Sequence, residues 1–118
     1  TSLNLVAENN DIVLHISFRR DENAIVVNAR SSAGWLSEER TSFGNKLEGN
    51  NYTVTVYDHG DRYQIAFNGR TGHYFTKQIQ ADVAALQYFV DLGHQTLLSD
   101  PVVAEHYVDL SALVKGLD

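Results

Sequence analysis

The sequence predicts an all-β fold, an antiparallel sandwich or barrel, from two observations. Short segments that alternate between apolar and polar residues, or that are rich in β-branched residues, follow one another along most of the 118-residue chain. Between them lie short segments rich in Gly, Asn, Asp and Ser, which favour turns. Many short strands in series are typical of antiparallel sandwiches and barrels. The length suits one core, so we expect residues 1–118 to form a single domain.

The first third of the chain predicts three strands. Residues 1–7 alternate and end at the turn-like sequence ENND at 8–11. The sequence IVLHISFR at 12–19 predicts the second strand, and AIVVNAR at 24–30 predicts the third. The polar sequence RDEN at 20–23 predicts the turn that joins them.

The middle of the chain predicts a short strand, a loop and a hairpin. After the loop sequence SSAG, residues 35–41 form a short, polar strand, and residues 43–51 are typical of a loop. Residues 52–58 and 62–68 are strand-like and are joined by the sequence HGD, which is a hairpin signal. A second turn at NGRTG leads into a strand at 73–79.

The last third is less decisive. Residues 81–92 have the Ala and Leu content of a helix, with Asp82 as a candidate cap, but their Val, Tyr and Phe also fit a strand. Residues 102–110 follow Pro101 and predict a strand.

Composition excludes several classes of function. The chain has no Cys, which excludes a disulfide framework, thiolate metal sites and a Cys nucleophile. Its net charge of −6 argues against nucleic-acid binding, which needs clustered Lys and Arg. No apolar run is long enough to span a membrane, and no signal peptide is visible. The His residues do not have metal-ligand spacing. We expect a protein without metal or cofactor, either cytoplasmic or secreted by a route without a signal peptide.

Strand periodicity predicts one polar face on the sheet built from the first strands. On the strand at 12–19, Leu14, Ile16 and Phe18 share the face that packs on the core, because alternate side chains point to opposite faces. If the next strands are its neighbours, the opposite face carries polar side chains and has the only Trp at its rim. These residues are His15, Ser17, Arg19, Asn28, Glu38, Arg40 and Trp35.

Such a face suits a sugar. Sugar hydroxyls both donate and accept hydrogen bonds, so a sugar site needs amide, imidazole, guanidinium and carboxylate groups in fixed positions. Pairs of Arg and carboxylate hold each other rigid and keep spare donors and acceptors for the ligand. A flat aromatic ring covers the apolar C–H patch of a pyranose such as galactose.

The stretch from residue 15 to residue 40 resembles the carbohydrate signature of the galectins, and among them the small fungal galectins. The family pattern places a His, a polar residue and an Arg in alternation on one strand, an Asn on the next, and then a Trp followed by Glu and Arg. The matching residues here are His15, Ser17, Arg19, Asn28, Trp35, Glu38 and Arg40. Residues 58–69 also resemble the hairpin that follows the site in fungal galectins, and the similarity runs from about residue 3 to about residue 110.

The resemblance implies a fold, a ligand and a set of roles. The fold is a β-sandwich of the jelly-roll, concanavalin-like type, and the ligands are β-galactoside glycans such as lactose or N-acetyllactosamine. By resemblance, the protein needs no cofactor, forms homo-oligomers that cross-link glycans and agglutinate cells, and belongs to fungal defence. His15 and Arg19 would contact the galactose 4-hydroxyl, Asn28 and Glu38 the 6-hydroxyl, and Trp35 the apolar face. In the same scheme, Arg40 would reach the 3-hydroxyl of the next sugar, together with Glu38 and Arg19.

Two features depart from the family pattern. Ser17 stands where animal galectins commonly have Asn, so its contact with the 4-hydroxyl is expected to be lost or passed to water. The family's jelly roll also has strands before the one that matches residues 1–7. Either the sequence is partial, or these strands come from elsewhere, or an oligomer covers the gap in the sheet.

The residues leave two other classes of function open. A glycosidase needs two carboxylates that flank one bond, but Glu38 and Glu39 are adjacent on a strand and are expected to point to opposite faces, so we expect no catalysis. A protein-binding sandwich would explain the fold but not the polar face. Arg30 shares the face of Asn28 and is a possible sugar contact, with a structural ion pair as its alternative.

Overall fold

Two antiparallel sheets make up the fold. The structure is a computed structural model that describes residues 1–44 and 53–89. In chain order, its strands are β1 (Ser2–Ala7), β2 (Ile12–Arg19), β3 (Ala24–Ser31), β4 (Gly34–Trp35), β5 (Glu39–Ser42), β6 (Val54–Asp58), β7 (Arg62–Phe67), β8 (Arg70–Thr76) and β9 (Val83–Phe89). A 3-10 turn at Arg20–Glu22 joins β2 to β3. No helix in the described part of the chain is long and apolar enough to cross a membrane.

The larger sheet, here called sheet A, has the order β4-β3-β2-β1-β9, and β5 also pairs with β3. The smaller one, sheet B, has the order β6-β7-β8. Neighbouring strands are antiparallel in both sheets. The prediction of an antiparallel β-sandwich is therefore confirmed.

The core lies between the two sheets, where the buried apolar side chains of both sheets form one cluster. In β2 the predicted core residues Leu14, Ile16 and Phe18 are all buried. Phe18 meets Phe67 of sheet B edge to face, with ring centroids 6.3 Å apart. The polar side chains that alternate with them in β2 lie on the outer face of sheet A.

The structure resolves one segment that the sequence left ambiguous and shortens one predicted turn. As far as residue 89, where the described part of the ambiguous segment 81–92 ends, it forms a strand and not a helix: β9 pairs with β1 along its length, from Ser2 opposite Phe89 to Ala7 opposite Val83. The second hairpin turn is shorter than expected: Asn68 and Gly69 both have positive φ, 52° and 80°, which allows a tight two-residue turn. β8 therefore begins at Arg70. The predicted strand at 102–110 and most of the predicted loop at 43–51 lie outside the described residues.

A bulge in β2 sets the start of the polar face. His15 is opposite Asn28 on β3, but Ile12 is opposite Arg30, so two residues of β2 oppose one residue of β3. The two bulge residues, Val13 and Leu14, are both buried. The extra residue changes the phase of the alternation, so that Leu14 and the rest of β2 follow a regular pattern up to Arg19.

Candidate functional site

The register of sheet A brings the predicted polar residues onto one face. His15 of β2 lies opposite Asn28 of β3. Ser17 lies opposite Val26, which in turn lies opposite Arg40 of β5. Because directly opposed residues point to the same face, these side chains form two adjacent rows on the outer surface of sheet A.

A second bulge, at the edge of sheet A, brings Trp35 onto that face. Trp35 is opposite Arg30, and Glu39 is opposite Val27. Between these two pairs, the edge segment has three residues, whereas β3 has only two. In a regular strand Trp35 and Glu38 would point to opposite faces, since they are three residues apart. The extra residue shifts the alternation of side chains by one position, so both side chains face the same cleft. The predicted single strand at 35–41 is thus two short strands.

The cleft has a volume of about 370 Å³. It is lined by His15, Arg19, Val26, Asn28, Trp35 and Glu38. All but Val26 are predicted site residues. The sequence analysis missed Val26, although its alternation with Asn28 was a usable signal, and its apolar side chain adds to the cleft surface.

Ser17 and Arg40 lie beside the cleft and support its charged residues. Ser17 accepts a hydrogen bond at Oγ from Nε of Arg19, at 3.3 Å. Arg40 donates from Nε to Glu38, also at 3.3 Å. This hydrogen bond, followed by the charge of Glu38, raises the pKa of Arg40. Both contacts restrict the rotamers of the side chain that faces the cleft.

Glu22 links Arg19 and Arg40 and was not among the residues predicted for the site. Its carboxylate lies 3.5 Å from Nη1 of Arg19 and 3.6 Å from Nη1 of Arg40. Glu22 sits in the 3-10 turn after β2, which ends at Asn23 in the left-handed conformation with φ 50°. The signal available in the sequence was its spacing of three residues from Arg19. All three side chains are partly exposed, so the network fixes positions more than it adds stability.

Asn4 orients His15 from the neighbouring strand β1. Oδ1 of Asn4 lies 2.6 Å from Nδ1 of His15, and Asn4 itself is buried. With this oxygen as the acceptor, His15 donates from Nδ1 and keeps a lone pair on Nε2. Burial of the ring, followed by the charge of Arg19, lowers the pKa of His15. The imidazole is therefore neutral at pH 7 and able to accept a hydrogen bond.

Trp35 is exposed for half of its surface, although it is a large aromatic residue. Its ring is held by His15, with centroids 4.7 Å apart and planes tilted by 56°. Cζ of Arg30 lies 5.5 Å from the ring centroid, in cation–π contact. Arg30 therefore contacts the ring of Trp35 at the rim of the cleft, and its possible contact with a sugar stays a prediction.

The two adjacent glutamates diverge as the strand pattern predicts. Glu38 lines the cleft, whereas Glu39 accepts a hydrogen bond at Oε1 from Nε2 of His73 on β8, at 2.8 Å. Within the described ranges, no three His, Asp or Glu side chains converge in a way that would hold a metal ion. The cleft combines an exposed aromatic face with donors and acceptors fixed by their neighbours, an arrangement suited to an uncharged ligand with several hydroxyl groups.

The chain is similar in sequence to known sugar-binding proteins over the residues that form the cleft. A family model described as galactoside-binding lectin matches residues 1–96, which include every residue of the cleft. The chain is 42% identical over 118 residues to Galectin-1 of Coprinopsis cinerea, covering 99% of this chain and 74% of that protein. It is 40% identical over 106 residues to Galectin-2 of the same organism, covering 89% and 69%.

The fold is also similar to a solved structure, the galectin LEC-6 of Caenorhabditis elegans. The two share 34% sequence identity with a TM-score of 0.63. The match covers 72% of this chain and 59% of the nematode chain, so the present chain spans less than two thirds of that protein.

Proposed function

The chain belongs to the galactoside-binding lectin family, the galectins, and we propose that it binds β-galactosides such as lactose in the cleft beside Trp35. The observation that carries this proposal is the exposed indole ring at the edge of a cleft whose polar side chains hold one another in place. The half-exposed ring leaves a large apolar surface in water, which a stacked sugar would cover.

The geometry supports a specific arrangement of the sugar. The apolar face of galactose stacks on Trp35, and its 4-hydroxyl donates to Nε2 of His15 and accepts from Arg19. Asn28 and Glu38 bind the 6-hydroxyl. The position of Arg40 next to Glu38 suits a contact with the 3-hydroxyl of the second sugar, glucose or N-acetylglucosamine.

We infer that the protein binds without catalysis. A glycosidase would need a second carboxylate across the scissile bond from Glu38. The adjacent candidate, Glu39, is turned toward sheet B and is engaged by His73 at 2.8 Å. An aryl galactoside should therefore bind to the cleft without being hydrolysed.

Each cleft is expected to bind weakly, because an open, wet site competes with water for every hydroxyl. Useful avidity would then come from a homo-oligomer that carries several clefts and cross-links glycans. The defensive role that the resemblance to fungal galectins implies would act through such cross-linking.

A lactose titration followed by tryptophan fluorescence tests the proposed function. Trp35 is the only Trp in the chain, so the signal reports on this ring alone. We expect a saturable change with lactose and none with sucrose, which has no galactose. A folded protein whose fluorescence and calorimetric heat are both unaffected by lactose would contradict the proposal.

Lactose affinity is also expected to depend on the protonation of His15. Because burial and Arg19 lower the pKa of His15, the neutral ring persists below the ordinary histidine value of about 6.5. Affinity should therefore be level from pH 8 to about pH 6.5 and weaken as the pH falls through the lowered pKa, since a proton on Nε2 removes the acceptor.

The measurement is the lactose Kd between pH 8 and pH 5, with the His15 ring titrated by NMR over the same range. The midpoint of the loss in affinity should coincide with the NMR midpoint of His15. His59→Gln, in the turn between β6 and β7, is the matched control and should retain the wild-type profile. Tighter binding on acidification would contradict the acceptor role.

A further inference from the structure

The side chain of Gln78 makes two hydrogen bonds to the backbone of a single residue at the edge of sheet A. The backbone N–H of Ser37 donates to Oε1 of Gln78 at 2.9 Å. Nε2 of Gln78 donates to the backbone oxygen of Ser37 at 2.8 Å. Gln78 follows β8, so these bonds join the segment after sheet B to sheet A.

Ser37 is the middle residue of the edge bulge that separates β4 from β5. On one side of it, the N–H of Leu36 still donates to the oxygen of Ala29 on β3, at 2.9 Å. On the other side, Glu39 is again in register with Val27. The carboxamide of Gln78 takes the place of a strand partner for Ser37, because it offers one acceptor and one donor to the same peptide residue.

This bulge determines the direction in which the side chains next to Ser37 point. Trp35 and Glu38 face the cleft together only because the edge side has one residue more than β3. The same edge is attached to sheet B a second time, by Glu39 and His73 at 2.8 Å. The edge that contains the bulge is therefore held by two contacts, one with β8 and one with the segment that follows it.

We propose that Gln78 is a positioning residue for the galactoside site, which it serves by holding the bulge at Ser37 so that Trp35 and Glu38 face the cleft. This inference rests on the proposed function for the identity of the ligand. Gln78 acts through Ser37 and does not line the cleft. No motif in the sequence marks it, because its partner is 41 residues away in the chain.

Because Ser37 is exposed, an experiment can distinguish a positioning role of Gln78 from a purely structural one. When Gln78 is lost, water can bond both backbone groups of Ser37, so the free energy of unfolding should change little. The bulge would no longer be fixed, however, so sugar binding would also have to order it, and the affinity would fall.

The test uses Gln78→Ala in the full chain, with Gln80→Ala as the matched control. Gln80 is the same residue type, is exposed, and makes no side-chain hydrogen bond within residues 1–44 and 53–89. We expect Gln78→Ala to raise the lactose Kd about tenfold, because binding must then order the bulge; a tenfold change corresponds to about 1.4 kcal/mol. Its melting temperature should stay close to that of the wild type, and Gln80→Ala should match the wild type in both.

Two further readouts separate the outcomes. Gln78→Glu keeps the acceptor for the Ser37 N–H but loses the donor, so its Kd should lie between those of the wild type and Gln78→Ala. Time-resolved fluorescence anisotropy of Trp35, recorded without sugar, should show a larger local motion of the ring in Gln78→Ala than in either the wild type or Gln80→Ala.

The two proposals fail in different ways. Absence of lactose binding by the folded wild type would overturn the proposed function, and the anisotropy would still test the role of Gln78. Unchanged anisotropy of Trp35 in Gln78→Ala would overturn the positioning role, as would an unchanged Kd in a wild type that binds lactose. A loss of binding that only follows the unfolded fraction would also overturn it.

Discussion

Replacing Trp35 by alanine is expected to abolish measurable lactose binding and to leave the fold intact. The ring is half exposed and is not a member of the core between the sheets, so its removal creates no internal cavity. In the proposed complex it covers the apolar face of galactose. Loss of that contact costs about 2–3 kcal/mol, roughly a 30- to 150-fold loss of affinity, which would take a weak site below detection.

Because the variant has no Trp, calorimetry replaces fluorescence as the binding measurement, and circular dichroism gives the melting temperature. The matched control is Tyr74→Ala. Tyr74 is also an exposed aromatic side chain, at 44% against 50% for Trp35, but it lies on β8 of sheet B under the guanidinium of Arg62. Tyr74→Ala should bind lactose like the wild type. If Trp35→Ala also bound like the wild type, the stacking arrangement would be wrong.

The regular part of the site could be predicted from the sequence because strand alternation is a local property. His15, Ser17 and Arg19 are spaced by two residues on the regular part of β2, after its bulge, so the face that they share follows from their spacing. The register that places His15 opposite Asn28 needed only the assumption that β2 and β3 are neighbours. These residues lie on one face in the structure, as the pattern indicates.

The irregular part could not be predicted in this way. A bulge depends on how two strands pair, and neither strand shows it separately. Strict alternation places Trp35 and Glu38 on opposite faces, yet both line the cleft because of the extra residue at the edge of sheet A. The family resemblance grouped the two residues, but it gave no physical reason for their shared direction.

The supporting residues were missed for a related reason. Asn4, Glu22 and Gln78 act by holding His15, the two arginines and Ser37 in place, and each contact depends on the folded arrangement. A sugar-binding motif names the residues that face the ligand. It does not name the residues that fix the motif residues in their rotamers. We expect those supporting residues to determine how strongly the ordering of the site lowers the affinity.

The hydrogen bonds of Arg19 lead to the second large effect. Its Nε donates to Ser17 at 3.3 Å and its Nη1 lies 3.5 Å from Glu22, so the planar fork is fixed at the wall of the cleft with further N–H groups available to the ligand. A lysine at this position keeps the charge but has a single ammonium group on a flexible chain. It cannot contact Ser17, Glu22 and a sugar hydroxyl in the same geometry.

We therefore expect Arg19→Lys to weaken lactose binding roughly 30- to 100-fold, as the loss of charge-assisted hydrogen bonds would suggest, although the net charge is unchanged. Stability should change by less than about 0.5 kcal/mol, because the ion pair with Glu22 is exposed. Calorimetric Kd values and melting curves measure both effects. The neighbouring Arg20→Lys is the matched control, since the guanidinium of Arg20 lies 5.8 Å from the ring of Phe43 and does not line the cleft. Equal lactose affinity of Arg19→Lys and Arg20→Lys would mean that charge alone is sufficient at this wall, and that the fixed fork does not contribute to recognition.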